Sequence, residues 1–128
     1  MRITRQQAEE NRRRVVEAAD AMFREKGCDA VPVAELMRAA GLSHGGFYNH
    51  FESKADLEAE AVRHACARAT ARVGRIAAKD DSERREALAR FIDGYLSPEM
   101  RDLPAARCGL LAYAADMPRQ GDAARAAF

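Results

Sequence analysis

Most of the residues that could do chemistry fall between Ser43 and Lys54. Ser43, His44, Gly45, Gly46, Tyr48, Asn49 and His50 are interrupted by Phe47 and followed by Phe51, so the two phenylalanines stand one helical turn apart. On a helix that spacing places both rings on one face and leaves the polar groups on the other. Tyrosine hydroxyls, lysines and helix N-termini are standard partners of phosphate. Asparagine can pair bidentately with an adenine edge. Two adjacent glycines cost a helix about 1 kcal/mol each relative to alanine, and they are easier to understand where another surface approaches the backbone. The rest of the chain offers little for catalysis. His44, His50 and His64 lack a Cys, Asp or Glu partner at a ligand spacing, and Cys28, Cys66 and Cys108 form no CxxC pair. No catalytic residue, metal or cofactor is expected. Cys108 directly follows Arg107, a neighbour that could lower a thiol pKa, which keeps a thiol-based redox sensor as an alternative.

The elements that must position this stretch read as helical throughout. Val15, Ala19, Met22 and Phe23 form one apolar stripe on a charged helix that Gly27 stops. Pro32 suits the first turn of a second helix, about 33–40, ending at Gly41. After Leu42, Ser43 is positioned to cap a third helix, about 44–51. Ser53-Lys54-Ala55-Asp56 opens a long helix whose apolar face runs Leu57, Ala61, Ala65, Ala69, Val73 and Ile76. Asp80-Asp81-Ser82 breaks it and caps another, where Leu88, Phe91, Ile92, Tyr95 and Leu96 form a stripe that Ser97-Pro98 ends. A helix from about Pro104 to Asp116, stopped by Pro118, and the opening turn of one more from Asp122 to Phe128 complete the chain. The fold class expected is all-α.

Composition agrees. The 128 residues carry 21 Lys+Arg against 20 Asp+Glu, with 48% apolar and 32% charged residues. That balance builds a core and excludes a globally basic nucleic-acid coat protein, but says nothing against a local basic surface. No apolar run is long enough for a membrane span, and the N-terminus has no signal-peptide core. A reduced intracellular protein is expected, with no membrane partner. The run Arg12-Arg13-Arg14 fits either phosphate contact or a solvated face, and Arg68, Arg72, Arg75 and Lys79 read as the wet face of the long helix.

Two short helices joined by a tight glycine turn, with Ala39, Ala40 and Gly41 small at the crossing, make a helix-turn-helix. Residues 39–57, AAGLSHGGFYNHFESKADL, resemble the recognition region of the TetR family of bacterial transcriptional regulators, whose pattern runs A-G-V-S-x-G-x-[LIF]-Y-x-H-F-x-[ST]-K-x-x-L. With Val15 to Ala19 and Met22 to Gly27 resembling the family's first helix, the likeness covers roughly residues 9–69. Pro32 departs from it, standing where the family commonly has a threonine.

The resemblance implies a helix-turn-helix DNA-binding domain over residues 1–58 and a helical ligand-binding and dimerisation region over 59–128, truncated at its C-terminus relative to the family. It places Ser43, His44, Gly45, Gly46, Tyr48, Asn49, His50 and Lys54 at DNA, with Tyr48, His50 and Lys54 on phosphates and His44 and Asn49 reading bases. It implies a cytoplasmic bacterial repressor, nucleoid-associated when bound. As a homodimer it would hold a pseudo-palindromic double-stranded operator until an unidentified small molecule released it. Pocket candidates are Cys66, Phe91, Tyr95, Met100, Leu111 and Tyr113. A helix-turn-helix binder without ligand control is the other alternative. An enzyme or helical interaction module is disfavoured, because no acid/base, nucleophile or metal set assembles.

Overall fold

A computed structural model describes residues 3–103 and 107–128. Helix α1 (Arg5–Lys26) begins at a capping box in which the Thr4 hydroxyl accepts from the Gln7 N–H and the Gln7 side chain accepts from the Thr4 N–H. It ends where Gly27 takes φ +85°, a conformation that side-chain-bearing residues avoid. Pro32 sits one position outside α2 (Val33–Ala39), at the N-cap rather than in the first turn. After the polar stretch, Ser53 caps α3 (Lys54–Ala77) by accepting from the Asp56 N–H at 3.1 Å, and Asp80 caps α4 (Asp81–Tyr95) through the Glu83 N–H at 2.9 Å. The order closes with α5 (Pro98–Asp102), α6 (Gly109–Asp116), a 3-10 turn at Met117–Arg119 and α7 (Asp122–Ala127). Among the described residues every regular element is helical.

Three further expectations change. Ser97-Pro98 ends α4 but also starts α5, since a serine N-cap followed by proline in the first turn is a helix-opening pair. The Ser97 hydroxyl accepts from the Met100 N–H at 3.2 Å. The helix expected from about Pro104 begins at Gly109; Pro104 itself lies outside the described residues. The stripe on α4 is largely uncovered, with Leu88, Ile92 and Leu96 exposed; the one buried side chain of the helix, Ala87, lies outside the stripe.

The core gathers side chains from both sides of position 58. Val15, Ala19 and Phe23 of α1 meet Leu36 and Met37 of α2, Phe47, Phe51, and Leu57, Ala61, Val62 and Ala65 of α3. Tyr113, Met117 and Ala124 belong to the same cluster, so α6 and α7 are built onto the first three helices. Burial on α3 fades beyond Ala65, and Val73 is exposed.

One buried charge ties these helices together. Asp20, on the inner face of α1, is 2% exposed and accepts from the Tyr113 hydroxyl at 3.1 Å and Arg24 Nε at 3.2 Å, with Arg68 at 3.6 Å. Asp116, at the end of α6, accepts from the Cys28 N–H at 3.0 Å and from Arg119 at 2.7 Å. Tyr113→Phe removes one donor from a buried carboxylate while keeping the ring, so it should lower unfolding free energy by about 1–3 kcal/mol. Urea titration of the two proteins measures this; unchanged stability would mean that the hydroxyl does not matter to Asp20.

Candidate nucleic-acid interface

The polar stretch is aimed by the turn before it and held by the ring beneath it. Gly41 takes φ +72°, its N–H donates to the Arg38 carbonyl at 2.9 Å, and the Leu42 N–H donates to the Met37 carbonyl at 2.8 Å. This pair of bonds closes α2 as a Schellman motif and turns the chain sharply. The segment that follows, His44–Asn49, is a 3-10 helix rather than the α-helix expected over 44–51. Gly46 N–H donates to the Ser43 carbonyl at 3.1 Å and His50 N–H to the Phe47 carbonyl at 2.9 Å, both three residues back. Two consecutive poor helix formers in a segment this short favour the tighter winding. Ser43 stands at the N-cap position, but its hydroxyl accepts no capping hydrogen bond, contrary to expectation.

Phe47 is fully buried and stacks on Phe51 with ring centroids 5.5 Å apart. Tyr48 meets Phe47 edge-on at 5.2 Å, yet is 72% exposed and points away from the core. Ser43, His44, Gly45 and Asn49 are exposed beside it, while Gly46 and His50 are half-buried. A Cβ added at Gly45 would meet nothing within 4 Å, and one at Gly46 would make only ordinary contacts with Ser43 and Met37. The fold therefore makes no steric demand for glycine at either position.

Lys54 differs from the other candidates. Its ammonium is turned inward, donating to the Cys28 carbonyl at 2.8 Å and lying 3.7 Å from Glu58. It thereby fastens the start of α3 to the α1–α2 loop. Burial pushes the Glu58 carboxyl above its ordinary range, with Asp29 and Asp116 adding to the shift and Lys54 opposing it. The arginine run divides: Arg12 stacks on Phe51 at 4.3 Å and pairs with Glu60, while Arg13 pairs with Glu10 at 2.7 Å and Glu17 at 3.0 Å. Arg14 makes no ion pair within 4 Å among the described residues, though its charge acts on Glu10, and it lies over the Gly41 turn.

With this geometry in place, the sequence likeness can be read residue by residue. Residues 15–61, from the buried face of α1 through the polar segment into α3, match the family described as bacterial regulatory proteins, tetR family. Over this segment the chain is similar to the tetR family. Relatives of the same kind include the HTH-type transcriptional regulator AcrR of Shigella flexneri, 36% identical over 59 residues, covering 46% of this chain and 27% of that protein. The HTH-type transcriptional regulator TtgR of Pseudomonas putida is 35% identical over 57 residues, covering 44% of this chain and 27% of that protein. An HTH-type transcriptional regulator of Staphylococcus aureus strain USA300 is 36% identical over 53 residues, or 41% and 29%. The match thus spans about a quarter of those relatives' length.

Outside the tetR-family segment, the expected pocket residues converge only in part. Tyr95, Met100 and Leu111 line one cavity of about 640 Å³ between the end of α1, the α4–α5 junction and α6. Phe91 lies instead against Arg72 in a separate groove between α3 and α4. Tyr113 is buried against Asp20, and half-buried Cys66 packs on the edge of the core. The missed residues are Asp20 and Asp116; an acidic side chain one turn after Val16, on the apolar face of α1, was the available signal. Cys28 and Cys66 shift in the same direction. Burial foremost, aided by the Asp116 carboxylate, pushes Cys28 up to about 12, and burial raises Cys66, whereas a sensor needs an accessible thiolate. Among the described residues no helix is long and apolar enough to cross a membrane.

Lys54→Ala should cost about 1–3 kcal/mol of stability, because the Cys28 carbonyl loses a charged donor. Asn49→Ala, on the exposed face, should stay within about 0.5 kcal/mol of the parent. Chemical denaturation of both variants separates the two positions. Glu58 favours its protonated form in the fold, so the stability it contributes is present at low pH and lost as pH rises through its raised value. The melting-temperature advantage of Glu58→Gln over the parent should therefore grow between about pH 4 and about pH 7; an advantage that shrinks over that window would refute this.

Proposed function

We propose that this protein is a ligand-responsive transcriptional regulator, a repressor that binds a pseudo-palindromic DNA operator as a homodimer and releases it on binding a small molecule. The observation that carries the reading is the exposed row Ser43, His44, Gly45, Tyr48 and Asn49, lifted on a fully buried Phe47 within a tetR-family segment. A short segment reads too few bases alone, and two copies on one face of a duplex double the information. Tyr48 and His50 serve as phosphate contacts. His44 and Asn49 read base edges, while Gly45 and Gly46 let the duplex come close. Lys54 joins them with the hydrogens its ammonium does not spend on Cys28, since an ammonium has three donors. The inward pull on Lys54 makes its contribution structural as well as electrostatic. Cytoplasmic action and family-like control by an inducer follow from this reading.

Half-sites should lie about 34–36 Å apart, or a multiple of that, along the duplex. If a dimer makes about 6–10 phosphate contacts, raising salt from about 50 to about 200 mM should weaken binding by about 10³–10⁵-fold. Asn49→Ala or His44→Ala should lose about 1–3 kcal/mol chiefly on the preferred site. Gly45→Ala is the sharpest variant: the open space around it predicts unchanged or higher melting temperature together with weaker DNA binding. Fluorescence anisotropy on a selected site and a scrambled duplex, with thermal melts, tests the set. Normal affinity in Gly45→Ala would remove the close-approach role, and a flat salt titration would remove the phosphate contacts.

A further inference from the structure

We infer that the cavity bounded by the end of α1, the α4–α5 junction and α6 is the regulatory site and takes an apolar carboxylate; the regulatory part of this inference rests on the function proposed above. Its volume of about 640 Å³ lies in the range of small-molecule sites. Phe23, Tyr95, Met100 and Leu111 supply apolar wall, which fits a hydrocarbon body. The charged part of the wall is unbalanced: Arg24, Lys26, Arg101 and Arg107 stand against Glu25 and Asp116. Asp116 is committed to the Cys28 N–H and Arg119, so it is poorly placed to receive a cation, while Glu25, exposed and without an ion pair among the described residues, has its charge met in part by the neighbouring Lys26 ammonium. Lys26 is held by Glu35 at 2.9 Å and Arg101 by Asp102 at 2.6 Å. Arg107 has no ion pair among the described residues, and its carbonyl accepts from Arg24 Nη1 at 3.4 Å, which keeps the two arginine residues together. A carboxylate entering here gains a guanidinium without breaking an internal pair, and the planar guanidinium matches its two oxygens.

The cavity wall is also where the tetR-family segment is fastened. Arg24 holds Asp20, the acceptor of the Tyr113 hydroxyl, and Asp116 holds the Cys28 N–H in the loop that leads into α2. An occupant that prefers one spacing of α6 against α1 biases both ties, and through Cys28 it bears on the approach to the helix-turn-helix. Only such a preference between two arrangements gives a ligand regulatory effect.

The test uses the whole 128-residue chain and three probes with one hydrocarbon length: decanoate, methyl decanoate and decylammonium, each titrated by calorimetry and followed by amide NMR. Decanoate should bind one molecule per chain, at least about tenfold more tightly than decylammonium. Arg107→Gln should remove about tenfold of the decanoate affinity and leave methyl decanoate unchanged. Arg90→Gln, in the separate α3–α4 groove, should change neither. Saturating decanoate should shift the Cys28 amide signal and those of α2. Decylammonium binding as well as decanoate, no binding by any probe, full decanoate affinity in Arg107→Gln, or silent α2 amides would each overturn the inference. A chain that binds decanoate in this manner but no duplex DNA would leave the carboxylate site standing and defeat the regulator reading. DNA binding without decanoate binding would do the reverse.

Discussion

A carboxylate removed from water must be met by donors or give up its charge, and Asp20 imposes that condition on this chain. Its partners come from three elements: Arg24 of α1 itself and Tyr113 of α6 donate hydrogen bonds, and Arg68 of α3 adds a positive charge at 3.6 Å. Packing alone would let α6 slide along α1, since apolar contact is non-directional. A hydroxyl at 3.1 Å does not allow that. The second tie, Asp116 to the Cys28 N–H, fixes the other end of α6 to the loop that enters α2. The tetR-family segment and the later helices are therefore one packed unit through a few polar bonds set in an apolar core.

The polar segment shows how little structure recognition requires. Phe47 and Phe51 stack beneath it and Arg12 covers Phe51, so the anchors are shielded while the outer face is left unencumbered. The basic run beside it is mostly spent within the protein, on Phe51, Glu60, Glu10 and Glu17. Local charge in the sequence is thus a poor guide to charge offered outward, and Lys54 makes the same point at the start of α3.

What could be read from the sequence was what neighbours in sequence decide. Gly27, Gly41, Ser53 and Asp80 mark helix ends through bonds spanning a few residues, and all of them do so in the structure. The phenylalanine spacing likewise separated a buried face from an open one. What escaped depends on distant partners or on competition between two local outcomes. Tyr113 read as a pocket residue because nothing near it in sequence announces Asp20. The α4 stripe has an apolar pattern, yet burial depends on which element lies opposite. The choice of 3-10 over α winding at His44–Asn49 turns on small differences that glycine pairs leave finely balanced.

The tie between Asp20 and Tyr113 also has a temporal side, because its ends are 93 residues apart in the chain. Synthesis proceeds from the N-terminus, so the family segment leaves the ribosome with its buried carboxylate still lacking the tyrosine. Until α6 emerges, Asp20 has Arg24 and then Arg68 for company, and the part of α1 that α6 covers stays open to water. The nascent helix-turn-helix is consequently an unfinished object, closed only by a residue made 93 positions after its partner. A ribosome that stalls before the Tyr113 codon would hold the recognition segment on an incompletely sealed core.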